Sequence, residues 1–188
     1  MILSHKEFTD KIKFIGNKGV MYLEIDKYCN GKRPITIDYD VFLPTLGINL
    51  QRDFCWTLEQ KQEYILSRLK RIAVTKISIV LDDDDPKNVV MQVIDGKQRL
   101  STLIDFYKGG FSISYQGGEY FFNDLDSVLK SHITSYDLTY DVAYDYDNGK
   151  ITDQQKIDWF MIINYTGTPQ EKSHFDKINK LARVKGKK

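Results

Sequence analysis

One short stretch of the chain combines the residue types that bind phosphate. It reads Asp95, Gly96, Lys97, Gln98 and Arg99, and is called the corner segment below. Residues 88–94 before it predict a strand, and the apolar residues after it recur at helical spacing. A helix N-terminus presents free amides and the positive end of the helix dipole, which favour a phosphate. Lys97 and Arg99 add cationic donors within the first turn, so the segment predicts a phosphate-binding corner.

Each remaining residue of the corner segment has an expected role. We expect Asp95 to cap the helix, with Gln98 as its capping-box partner. Gly96 would let the backbone approach a ligand closely. The pattern is neither a Walker A loop nor a dinucleotide fingerprint, because the further glycines are missing. A strand–Asp–Gly–helix corner also occurs without any ligand, so a purely structural corner remains the alternative.

A second candidate segment, residues 51–56, places a cation beside aromatic residues. It contains Gln51, Arg52, Phe54 and Trp56. A charged residue among apolar neighbours normally needs a partner, which makes Arg52 a candidate ligand-binding residue. The two aromatic rings are expected to be core anchors, with a ligand surface as the alternative. Cys55 is expected to be buried and inert.

A third candidate is Asn164, which lies between two predicted helices. Residues 162–169 can be a simple helix–helix turn. Alternatively, Asn164 and the exposed amides near Thr168 could complete a polar site.

The elements that must position these residues can be predicted from capping and alternation. Capping boxes predict four further helices; their paired residues are Ser4 with Glu7, Thr57 with Gln60, Thr152 with Gln155, and Thr168 with Glu171. Strands are predicted at residues 76–81, 88–94, 111–115, 119–122 and 138–146. The third and fourth of these flank a glycine turn and should form a hairpin. Strands with interspersed helices favour an α+β domain.

The bulk composition excludes several classes of protein. The formal net charge is +1, so the whole surface is not that of a polyanion binder. Two cysteines give neither a disulfide framework nor zinc spacing, and no apolar run approaches the roughly 20 residues that span a bilayer. We therefore expect a cytoplasmic protein. The basic tail, residues 183–188, could contact DNA or simply aid solubility.

The three candidate segments, in this order, resemble the N-terminal domain of GmrSD-type modification-dependent restriction enzymes. The matching residues are Gln51, Arg52, Phe54 and Trp56, then Asp95 to Leu103, then Asn164, Gly167 and Pro169. Lys97 stands where that family usually has glutamine. The resemblance covers residues 48–181. It implies a ParB/sulfiredoxin-like α+β fold, a mixed small sheet with flanking helices, as one domain over residues 1–182 followed by the basic tail.

The resemblance also implies a function and residue roles. It implies binding and hydrolysis of a nucleoside triphosphate with Mg²⁺, linked to DNA restriction or to conflict between phage and bacterial host. Asp95, Gln98 and Arg99 are the implied catalytic residues, with Asp95 holding Mg²⁺ or orienting water and Gln98 placing that water or a phosphate oxygen. The implied nucleotide-binding residues are Gly96, Lys97, Arg99, Arg52, Gln51 and Asn164.

Two other functions remain open. One is a non-enzymatic module that binds DNA or a partner protein, for example an inhibitor of a restriction system. The other is a weak DNA-nicking nuclease. We expect no autonomous cleavage of modified DNA, because His5, His132 and His174 lack the spacing of a metal site. We expect no sulfiredoxin chemistry either, since the corner segment has no nucleophilic cysteine. Assembly into a homodimer is a further open alternative.

Overall fold

A computed structural model describes seven stretches of the chain. They are residues 15–22, 25–31, 35–72, 76–82, 89–134, 139–144 and 151–166. The helices predicted to begin at Ser4 and Thr168 lie outside these stretches, as do Gly167, Pro169 and the basic tail. All three predicted candidate segments, up to Asn164, lie inside them.

A five-stranded mixed sheet forms the centre of the domain. In sheet order its strands are β1 (Ile15–Tyr22), β9 (Thr139–Tyr144), β5 (Ile77–Asp82), β6 (Val89–Asp95) and β2 (Ile35–Asp38). The β1/β9 and β5/β6 pairs are antiparallel, whereas β9/β5 and β6/β2 are parallel. The strands predicted at residues 76–81 and 88–94 are therefore confirmed as the paired strands β5 and β6.

Five α-helices flank the sheet in the described part of the chain. They are α1 (Ile25–Cys29), α2 (Leu58–Leu69), α3 (Lys97–Tyr107), α4 (Ser127–Thr134) and α5 (Asp153–Thr166). The capping boxes predicted for α2 and α5 are confirmed. In each, the threonine hydroxyl accepts a hydrogen bond from the backbone N–H of the glutamine, and the glutamine side-chain oxygen accepts one from the backbone N–H of the threonine. The predicted α+β class is confirmed, and the ParB/sulfiredoxin-like assignment stays a prediction. None of these helices is long and apolar enough to cross a bilayer.

Two short antiparallel ribbons complete the described elements. One pairs β3 (Phe42–Leu43) with β4 (Ile48–Asn49), and the other pairs β7 (Ile113–Tyr115) with β8 (Gly118–Tyr120). The second is the predicted hairpin. Its turn residues Gln116 and Gly117 have φ angles of 49° and 80°, the left-handed pair that suits a twisted two-residue turn.

The sheet separates two hydrophobic cores. Along β5, Ile79 belongs to the core that α2 and α3 cover, and the next residue, Val80, belongs to the core that α5 covers. Along β6, Val93 likewise belongs to the core under α2 and α3, and Ile94 belongs to the core under α5. Successive strand residues point to opposite faces, so both strands are buried on both sides. The end of β6, where the corner segment begins, is consequently a firmly held point of the fold.

Candidate functional site

The turn from β6 into α3 requires glycine for structural reasons. Gly96 is the N-cap of α3 and has a φ of 101°. A Cβ atom built there would lie 2.8 Å from Cγ1 of Ile77 on β5. The glycine therefore permits a left-handed turn packed against the neighbouring strand. The prediction that Asp95 caps the helix is wrong, because the cap is Gly96 and no side chain in the described part of the chain bonds to the free amides there.

Gln98 joins the corner segment to the loop of residues 51–56. Its Oε1 accepts hydrogen bonds from the amides of Cys55, at 2.9 Å, and Trp56, at 3.3 Å. Its Nε2 donates to the carbonyl of Asp53 at 3.2 Å. The side chain is buried, and both of its ends are used in these contacts. The prediction of a capping-box role is therefore wrong, because the Gln98 side chain is hydrogen-bonded to the loop instead of to the helix N-terminus.

Gln51 fixes the other end of the same loop. Its buried amide Nε2 donates to the carbonyl of Val93 at 3.0 Å and also to that of Ile94. Arg52 thus lies between Gln51, which is hydrogen-bonded to the end of β6, and Asp53, which is hydrogen-bonded to Gln98 at the start of α3. The Arg52 side chain is partly exposed, and within the described part of the chain it makes no hydrogen bond or ion pair. Its backbone is held while its guanidinium stays available.

The two predicted cations of the corner segment are both paired. Arg99 Nη2 lies 2.7 Å from Asp95 Oδ2 and 3.0 Å from the carbonyl oxygen of Lys76. Lys97 Nζ lies 2.5 Å from Asp40 Oδ1, and the lysine is buried whereas the Asp40 side chain is 57% exposed. The Nε atom of Arg99 is buried and has no hydrogen-bond partner in the described structure. The corner therefore carries two ion pairs rather than an open positive patch.

Asp40 is the site residue that the sequence did not reveal. It precedes Lys97 by 57 positions, so no local spacing connects the two. Asp38 holds this turn, because its Oδ1 accepts the amides of Asp40, at 3.0 Å, and Val41, at 2.9 Å. Val41 is buried at a φ of 52°, which a β-branched residue rarely adopts. The Asp38 contacts help to hold that unfavourable backbone beside the corner segment.

The aromatic residues of the loop behave differently from each other. Trp56 packs against the core and meets Tyr64 edge-on, with ring centroids 5.4 Å apart, which confirms its predicted role as an anchor. Phe54 is 37% exposed, so the prediction that it is a core anchor is wrong. Cys55 is also exposed, contrary to the expected burial. Burial raises the pKa of Tyr64, and the nearby charge of Arg68 partly opposes that rise.

Asn164 lies within α5 rather than in a turn. The helix continues to Thr166, and the buried Asn164 donates from Nδ2 to the carbonyl of Phe160 at 2.7 Å. This contact lies within one helix, and no described hydrogen bond connects Asn164 to the corner segment. Its predicted part in nucleotide binding stays a prediction.

The chain belongs to the GmrSD restriction endonuclease N-terminal domain family, whose model matches residues 48–185. The match contains the loop of residues 51–56, the corner segment and Asn164. Family membership links the chain to restriction systems. The chain matches no curated protein and no solved structure.

Proposed function

We propose that this family member binds a nucleoside triphosphate with Mg²⁺ at the corner segment and the adjoining loop, and hydrolyses it within a cytoplasmic DNA restriction system. DNA or a restriction protein would be the partner that responds to the nucleotide. The observation that carries the proposal is the Arg52 guanidinium, which has no partner among the described residues and lies on a loop tethered to the end of β6 and the start of α3.

Arg52 has the properties of a phosphate ligand. A guanidinium can donate two parallel hydrogen bonds to phosphate, and such charge-assisted bonds are stronger than neutral ones. The hydrogen bonds of Gln51 and Gln98 hold the backbone on both sides of Arg52. Little backbone freedom would then be lost on binding, which lowers the entropic cost of forming the complex.

The start of α3 supports the same location. No acceptor for the backbone amides of Lys97, Gln98 and Arg99 occurs in the described structure. A helix N-terminus of this kind favours an anion through its amides and its dipole. The Nε of Arg99 is buried and has no acceptor among the described residues, so it is a further donor near this helix end. A phosphate placed between Arg52 and this helix end would satisfy several donors at once.

The carboxylate of Asp95 fits a metal ion that arrives with the nucleotide. One oxygen, Oδ2, pairs with Arg99, and no described hydrogen bond uses the other. Mg²⁺ is commonly held by one or two carboxylates together with substrate phosphates and water. No group of three or more metal-ligating side chains occurs in the described residues, which favours this arrangement over an all-protein site. When bound, the ion would neutralise phosphate charge and polarise the phosphoryl group.

Binding without hydrolysis is the second candidate function. Gln98 uses both ends of its amide to hold the loop, so it would have to release the loop before it could place a water molecule. Asp95 is then the group left to orient water in a hydrolytic reaction. A chain that binds nucleotide but leaves it intact would act as a sensor that presents DNA or a partner protein with a nucleotide-dependent surface.

A comparison of three proteins tests the proposal. Wild type, Arg52→Ala and Lys70→Ala are each titrated with nucleoside triphosphates and Mg²⁺, and thermal stability and phosphate release are followed. Lys70 is an exposed cation at the C-terminal end of α2 and serves as the charge-matched control. We expect Arg52→Ala to weaken binding about 10- to 100-fold, the loss typical of one hydrogen bond to a charged group. Lys70→Ala should behave as wild type.

The outcomes separate the candidates. Saturable stabilisation with phosphate release supports the NTPase, and stabilisation without release supports the second candidate. If wild type shows neither effect with any nucleotide, both are refuted. If Arg52→Ala binds as tightly as wild type, the nucleotide site has been assigned to the wrong residues.

A further inference from the structure

Phe54 is a large exposed aromatic residue on the loop that carries Arg52. Single exposed apolar residues are common on protein surfaces and need no explanation by themselves. Phe54 differs because its neighbours Asp53 and Cys55 are both hydrogen-bonded to Gln98 of the corner segment. The backbone that carries the exposed ring is therefore held in place on both sides, next to the proposed phosphate site.

A partly exposed ion pair, Lys61 with Asp105, lies against one face of the ring. Lys61 Nζ lies 4.9 Å from the Phe54 ring centroid and 5.3 Å from that of the buried Phe111. The same ammonium lies 2.9 Å from Asp105 Oδ2. Lys61 is thus held between two rings and a carboxylate, and it occupies one face of Phe54. The opposite face of the ring is not the one that this ammonium covers.

We propose that the exposed surface of Phe54 stacks on the base of the bound nucleotide and favours purines. The inference rests on the proposed function and adds the group that would recognise the base. Arg52 and Phe54 are two residues apart, so their Cα atoms are separated by no more than about 7 Å. Two long side chains on such a short span can hold the phosphate end and the base end of one ligand.

The ion behind the ring explains the preference for purines. A cation over one face of a benzene ring draws electron density towards itself, because it interacts with the negative face of the quadrupole. The opposite face then becomes a better partner for an electron-rich base. Purines have the larger π surface, so they bury more of the ring. Aromatic platforms of this kind change affinity by about 5- to 150-fold for each stacked base.

The test separates binding of the base from binding of the phosphates. Dissociation constants are measured with Mg²⁺ for ATP, GTP, CTP, UTP and inorganic tripolyphosphate. The proteins are wild type, Phe54→Leu, Phe54→Tyr and Phe121→Leu. Phe121 is 45% exposed, lies outside the loop and is the matched control. Thermal unfolding without ligand establishes that each variant is folded.

We expect Phe54→Leu to weaken ATP and GTP about tenfold while leaving tripolyphosphate unchanged. Phe54→Tyr should retain wild-type affinity, and Phe121→Leu should resemble wild type. Wild type should bind purine nucleotides more tightly than pyrimidine nucleotides or tripolyphosphate.

Two results would overturn the inference while leaving the proposed function intact. In one, wild type binds tripolyphosphate as tightly as ATP. In the other, Phe54→Leu either leaves ATP affinity unchanged or weakens ATP and tripolyphosphate equally. If wild type binds none of these ligands, the proposed function fails, and the base-stacking role fails with it.

Discussion

Replacing Gln98 with alanine tests the joint between the corner segment and the loop of residues 51–56. The change removes three hydrogen bonds, two accepted from the amides of Cys55 and Trp56 and one donated to the Asp53 carbonyl. Each such bond contributes about 1 kcal/mol net. Asp53 and Cys55 are exposed, so water can replace part of what is lost. We therefore expect a loss of about 2 kcal/mol, or a fall of about 4–8 °C in Tm for a chain of this size.

Gln62→Ala is the matched control. Gln62 also lies on a helix, and its side chain makes one described hydrogen bond, from Nε2 to the carbonyl of Ser112 at 2.9 Å. We expect that variant to lose about 1 kcal/mol. Urea denaturation gives the two free energies of unfolding. Hydrogen exchange should also show faster exchange of the Cys55 and Trp56 amides in Gln98→Ala alone.

Two results would contradict this account of Gln98. One is a Gln98→Ala protein no less stable than Gln62→Ala. The other is unchanged exchange of the two loop amides, because that would mean the side chain does not hold the loop.

Three further predictions concern backbone strain and titration. Gly96→Ala should lower the free energy of unfolding by about 2–3 kcal/mol, because it adds left-handed backbone strain and a steric clash with Ile77. Gly31→Ala adds only the backbone strain and should cost about 1 kcal/mol. Urea denaturation measures both losses. Hydrogen bonds from two serine hydroxyls lower the pKa of Glu119, so its carboxylate stabilises the fold above the ordinary glutamate pKa and that contribution is lost as pH falls through the lowered value. Glu119→Gln should accordingly have a lower Tm than wild type at pH 7, with a smaller difference in acid. Burial raises the pKa of Tyr39, so stability should fall as pH rises above the ordinary tyrosine pKa, and Tyr39→Phe should weaken that alkaline dependence.

Local signals in the sequence predicted the elements that stabilise themselves. Thr57 and Gln60 form their capping box from residues three positions apart, and a glycine turn closes β7 and β8. Such interactions depend little on the rest of the fold. The short strand β2 was not predicted, because its four residues gain their order by pairing in parallel with β6, which is distant in sequence.

The errors at the site have the same physical origin. Gln98 has the correct spacing for a capping box, yet buried Gln98 bonds to loop amides more than 40 positions earlier in the chain. The partner of Lys97, Asp40, is 57 positions away in the sequence. Phe54 is of a residue type that is usually buried in the core, but its exposure here is set by the position of the tethered loop. The sequence therefore identified the segments of the site, whereas their mutual contacts are properties of the tertiary structure.

The central claim is that nucleotide binds at Arg52 and the start of α3. The most direct measurement is a ¹H–¹⁵N NMR titration of the protein with Mg²⁺ and a nucleoside triphosphate. We predict saturable shifts at the amides of residues 96–99 and at the Arg52 Nε–H, with much smaller shifts at the exposed hairpin of β7 and β8. Saturable binding that leaves residues 96–99 and Arg52 unperturbed would contradict the claim.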